Sequence, residues 1–181
     1  AYTAQDDNSY IRQKRRLEVP DLGILNPAGL AFSPTANALH IIEANGQAPG
    51  SFTNIIKLAP TARLSGMARI GATITDPINM AFDDRFHRLL IFQPESNQLI
   101  EVQEDVDGNL DPATLVRHDA RRFGLVSAQG MTIDQESGHL FIVDEAALRI
   151  VRIEPQADGS FENALISEVN VGATGLVDPH G

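Results

Sequence analysis

The 181-residue sequence predicts an all-β fold built from repeated four-stranded antiparallel units of about 50 residues. Three observations predict it. Residues 79–109 and 130–160 align without a gap at a constant offset of 51, pairing Met80 with Met131, Asp83 with Asp134, Leu89 with Leu140 and Asp107-Gly108 with Asp158-Gly159. Short apolar bursts alternate with turns rich in Asn, Asp, Gly, Pro and Ser, which is how strands and their connections read. No stretch sustains a helical period with caps.

The elements follow in order. Residues 9–24 read as the outer strands of a preceding unit. The first full unit opens at Asn26, where residues 27–33 lie over 77–83 at offset 50, and 39–42 lie over 89–92. The register then drops to 44, matching 55–58 with 99–102, so this unit carries six extra residues before its third strand. In each unit the first strand is 30–32, 80–82 or 131–133, and the second is 39–42, 89–92 or 140–143. The third is 54–58, 98–102 or 149–153, and the fourth is 67–71, 113–118 or 164–169. The first two strands are almost continuously apolar, which predicts burial on both faces. The third alternates, which predicts a half-exposed strand.

Four antiparallel strands per repeat, apolar inside and wetter outside, describe a β-propeller blade. The units divide as 26–75, 76–126 and 127–177, with 178–181 starting the next. Three blades are fewer than a closed ring needs. The expectation is therefore a partial propeller, either part of a longer chain or completed by self-association. The run Pro27-Ala28-Gly29-Leu30-Ala31-Phe32-Ser33-Pro34, then Leu39-His40-Ile41-Ile42-Glu43-Ala44-Asn45, then Asn54-Ile55-Ile56-Lys57-Leu58 resembles the NHL-type and related six- to eight-bladed propellers. The resemblance covers about residues 26–181. It implies a binding or scaffold module that presents its loop faces to a protein or a small ligand, exported to the periplasm or the extracellular space. A cytoplasmic location stays open.

Composition narrows the partners. A net charge of −10 argues against nucleic acid and against an anionic membrane face. The basic stretch Arg12-Gln13-Lys14-Arg15-Arg16 is a local exception that reads as a solvated outer strand. With no cysteine, disulfides, thiolate catalysis and Cys-based zinc sites are excluded within these residues. No apolar run approaches the ~20 residues of a membrane-spanning helix. No serine nucleophile elbow and no Gly-rich phosphate loop occurs.

Candidate chemistry sits in three places. Asp105, Asp107, Asn109 and Asp111 resemble a calcium loop of closely spaced oxygen ligands, although the EF-hand order is not kept. The equivalent Asp158-Gly159-Ser160 has far fewer acids, so a tight turn with φ > 0 at its glycine is the competing reading. Glu43, Asn45, Glu95, Asp144 and Glu145 follow second strands and should cluster at the channel mouth, where carboxylates suit a cation or a cationic ligand. Asp178 and His180 precede an inner strand and open onto the same mouth. By the same resemblance, a metal-dependent lactonase or lyase would use His180, Asp144 and Glu43, completed by blades beyond this sequence. The remaining histidines, His40, His87, His118 and His139, match no common blade position. His139 and Arg88 are equivalent, which suggests a surface site.

Overall fold

A computed structural model describes residues 24–43, 52–61, 63–71, 74 and 80–172. The expected strands at 9–23, the inserted turn at 44–51, the basic stretch and residues 173–181 lie outside the described residues. Twelve strands are described among these residues. The first sheet is β1 (Pro27–Ser33), β2 (Ala38–Glu43), β3 (Thr53–Leu58) and β4 (Leu64–Ile70). The second is β5 (Met80–Asp83), β6 (Arg88–Gln93), β7 (Gln98–Gln103) and β8 (Val116–Asp119). The third is β9 (Ala128–Ile133), β10 (Leu140–Asp144), β11 (Arg149–Glu154) and β12 (Leu165–Asn170). Each sheet is an antiparallel meander in chain order. The first strands lie side by side, β1 on β5 and β5 on β9, so the sheets radiate from a common inner edge as propeller blades do.

Turn chemistry repeats as faithfully as the strands. The turn from first to second strand ends in a left-handed residue each time, at Asn37, His87 and Gly138. Asn97 and Leu148 take the same conformation in the next turn of the second and third blades. Gly108 and Gly159 have φ of 73° and 83°, as the tight-turn reading of both Asp-Gly pairs requires. They also fit against the preceding blade. A Cβ on Gly108 would stand 2.6 Å from the Ala36 side chain, and one on Gly159 would stand 2.8 Å from the Phe86 ring. The Asp-Gly turn of one blade thus docks onto the first turn of the blade before it.

Burial departs from the sequence expectation in an informative way. It follows a strand's position in the stack of sheets rather than its rank in the blade. The middle sheet has a neighbour on each face, so β5 and β6 are buried throughout. Leu99–Val102 of β7 is buried as well, where alternation predicted half exposure. By contrast, Leu30 and Phe32 of β1 are 56% and 51% exposed at the inner edge, where full burial was expected. They wall an open hollow of about 300 Å³ together with Met80–Phe82 and Met131–Ile133. The fourth strand of the second blade is also shorter than expected. Pro112–Thr114 forms a 3-10 turn, capped by the Asp111 carboxylate accepting from the Ala113 amide at 2.9 Å. Proline has no amide to give to a ladder, so the strand starts only at Val116.

Candidate functional site

The second strands of the first and third blades end in an acid, Glu43 and Asp144, at equivalent positions. Both turn back to hold the loop that enters the first strand. Glu43 accepts from the Leu25 amide at 2.9 Å and from Asn54 Nδ2 at 3.0 Å. The Asn54 and Leu25 hydrogen bonds hold its carboxyl below the ordinary value. Asp144 is fully buried and accepts from the Ser127 amide at 2.8 Å and the Val126 amide at 3.2 Å. Arg149 closes the ring with Nε at 3.0 Å and Nη2 at 2.9 Å from the same carboxylate. Leu25 and Val126 are themselves equivalent in the repeat, so this is one latch used twice. In the middle blade Gln93 takes the acid's place, and its loop lies outside the described residues.

The other expected mouth residues fall differently. Glu145 stays on the rim, accepting from Gln129 Nε2 at 2.7 Å and Ser127 Oγ at 3.4 Å. Glu95 is exposed in the turn between β6 and β7. Asn45, Asp178 and His180 lie outside the described residues. The geometry therefore joins Asp144 and Glu145 to Ser127 and Gln129 at one rim.

The 105–111 turn already contains a cation. Asp105 spends one oxygen on the Asp107 and Asn109 amides, at 2.9 and 2.8 Å, and the Asn109 amide does most to hold its carboxyl below the ordinary value. The Lys57 ammonium, from the preceding blade, lies 3.0 Å from the Asp107 carbonyl and 3.4 Å from Asn109 Oδ1. Of the expected calcium set, the Asn109 side-chain oxygen thus faces an ammonium, and one carboxylate oxygen each of Asp105 and Asp111 is bound to backbone amides. Among the described residues no three His, Asp or Glu side chains gather as a metal cage.

Two polar clusters between blades escaped the sequence reading. At the first interface Ser33 Oγ donates to Glu104 Oε2 at 3.1 Å, and His40 Nε2 lies 3.2 Å from Glu104 Oε1. The His40 ring stacks on Phe82 with centroids 6.1 Å apart. Burial, with the Lys57 charge second, brings the His40 pKa down to about 4. Burial pushes the Glu104 carboxyl up. At the second interface Arg88 is 4% exposed, so its expected surface placement is wrong. It bonds Asp83, Glu101 and the Gly159 carbonyl, each at 2.9 Å. Its guanidinium sits 4.9 Å from both the Phe86 and Phe161 ring centroids. His118 Nε2 reaches the same Glu101 oxygen at 3.0 Å. Burial pushes the Glu101 carboxyl up, but His118 and Arg88 outweigh it and leave it low. The sequence did carry a trace of both clusters. His40 stands where the other blades have Leu90 and Phe141, and Arg88 stands where the first has Ala38.

No family model matches the sequence, and no curated protein does. Solved structures do. The chain superposes on a nidogen/laminin complex with a TM-score of 0.53 at 17% identity, covering 80% of this chain and 49% of that one. For a luciferin-regenerating enzyme the values are 0.56 and 16%, over 78% and 45%. For a putative 6-phosphogluconolactonase from Bacteroides uniformis they are 0.55 and 18%, over 82% and 44%. The chain spans less than half the length of these structures. Such likeness defines the class by fold: these are β-propeller blades. The fold hosts binding proteins and enzymes alike, so function is argued from the residues.

Proposed function

We propose that the chain is a binding module that takes up a protein or a small molecule on the loop face around Ser127, Gln129 and Glu145. The supporting observation is the state of the acids behind that face. Glu43 and Asp144 are committed to the amides of Leu25, Val126 and Ser127. A general base or a metal ligand needs a lone pair free to meet a proton or an ion, and these two acids have theirs engaged. Glu145 stands on the rim beside two neutral polar side chains, which suits a cationic or hydroxyl-bearing group. Export to the periplasm or the extracellular space belongs to the same proposal and is checked by fractionating the cells that make the protein. Among the described residues no helix is long and apolar enough to cross a membrane.

The rival reading is a metal-dependent lactonase or lyase that uses His180 with Asp144 and Glu43. It requires both acids to release their amides. One titration separates the two. Isotope-labelled protein is mixed with γ- and δ-lactones and with small amines, with and without calcium, and followed by NMR. The binding reading expects amide shifts at Ser127, Gln129 and Glu145 while the lactones stay intact. Metal-dependent lactone opening that disappears in Asp144→Asn, with the fold retained, would reverse it.

A further inference from the structure

Both interfaces between the described blades hold a buried polar cluster, and the two clusters answer a proton differently. At the first, His40 of β2 is 1% exposed and stacks on Phe82 of the second blade. Its Nε2 lies 3.2 Å from Glu104 Oε1, while its Nδ1 is closed to solvent and has no hydrogen-bond partner. With Glu104 as the acceptor, the neutral ring carries its proton on Nε2 and a bare lone pair on Nδ1. A second proton turns that lone pair into a buried N–H with neither an acceptor nor water to meet it, in a ring that has also become charged.

The charges around the ring do not relieve it. Burial, then the Lys57 ammonium on β3, opposes an imidazolium at His40. Glu104 is the carboxylate bonded to the ring, with the Ser33 hydroxyl on its other oxygen and with His87 and Asp105 acting on it in opposite senses. Burial raises the Glu104 carboxyl above its ordinary value, so on acidification it takes up a proton before His40 does, and the imidazolium forms with no anion against it. The second interface is built on a permanent cation. Arg88 bonds Asp83, Glu101 and the Gly159 carbonyl of the third blade, each at 2.9 Å. Burial raises the Glu101 carboxyl, but His118 and Arg88 outweigh it and leave it low, so this cluster keeps its charges where Glu104 loses its own. A proton on His118, 3.0 Å from Glu101, adds a cation to a carboxylate. We propose that the first blade interface is an acid-operated joint, in which a proton on the sealed Nδ1 of His40 parts the first blade from the second while the second and third stay clasped.

The sign follows from the depressed folded pKa of His40: the stability it carries is present above about 6.5 and is lost as pH falls toward about 4. A first blade parted from Phe82 is a single sheet with one apolar face uncovered, so its strands open with it. The test is amide hydrogen exchange on the whole chain from pH 7 to 4, expressed as protection relative to the unfolded chain at each pH. Protection of β2 and β3 should fall at least about tenfold more than that of β6 and β10. His40→Leu, which places the residue of the equivalent Leu90 site, should abolish this difference. Glu104→Gln should keep it, because the charge that opens the joint forms on His40. Equal loss of protection in all three sheets would overturn the proposal. So would an acid response that survives His40→Leu, or one that vanishes in Glu104→Gln, which would make the carboxyl the acting group.

Discussion

Arg88→Met asks how much the second blade interface depends on one charge. Methionine keeps the length and the apolar stem of the side chain and removes the guanidinium. Asp83 and Glu101 are then left as buried carboxylates, with Asp83 1% exposed. Breaking a buried pair by removing one partner costs about 3–5 kcal/mol, because the abandoned charge has no water to turn to. Loss of the contact with the Phe86 and Phe161 rings adds up to about 2 kcal/mol at a desolvated site. For a chain of this size the first figure alone corresponds to a fall in Tm of roughly 6–20 °C. Calorimetric melts at pH 7 read it directly. Acid should relieve the variant. With Arg88 present, Glu101 titrates low, so its stabilisation is present above the ordinary carboxylate range and is lost as pH falls through its folded pKa. Without Arg88 the folded pKa of Glu101 rises from that low position, with His118 still acting to lower it. The deficit of the variant then shrinks as pH drops toward that range. The exposed pair Arg121–Asp119 is the control, and Arg121→Met should leave the Tm unchanged. If Arg88→Met costs less than about 1 kcal/mol, the range of exposed pairs, the buried-network account is wrong.

Three further outcomes are expected. The Hε1 proton of His40 should titrate with a midpoint near 4, and a midpoint near 6.5 would show that water reaches the ring. Because that folded pKa is depressed, the stability it carries is present above about 6.5 and lost toward 4. This amounts to about 3 kcal/mol, partly offset by Glu104, whose raised pKa acts in the opposite sense. Leu148→Asn should raise the urea midpoint by the equivalent of up to about 1 kcal/mol, since Leu148 holds φ of 47° where the equivalent Asn97 holds 49°. Calcium or EDTA should shift neither the Tm nor the particle mass measured by light scattering. A calcium-dependent rise in Tm would mean that the ion displaces Lys57 from the 105–111 turn, and a mass twice 19.6 kDa would mean that two chains pair.

The repeat was legible because every blade solves one local problem with the same strands and turns. A constant offset of 51 therefore located β5 to β7 and β9 to β11, and the Asp-Gly pairs announced their positive φ at Gly108 and Gly159. The mouth was legible only in part. Glu43 and Asp144 were found as acids after second strands, but their use as latches depends on amides 18 residues away in sequence. Sequence position shows where a carboxylate is, and the direction it faces is a matter of packing.

The sequence by itself determined the class of fold, the order of the strands and the turn types, all of which follow from apolar spacing and from backbone preference within a few residues. Only the tertiary structure decided which strands are fully buried, and that depends on whether a sheet has neighbours on both faces. It likewise decided that Arg88 and His40 are interior. Alternation along one strand cannot report on a blade fifty residues away, yet it is the neighbouring blade, through Phe161, Gly159 and Glu104, that removes both side chains from water.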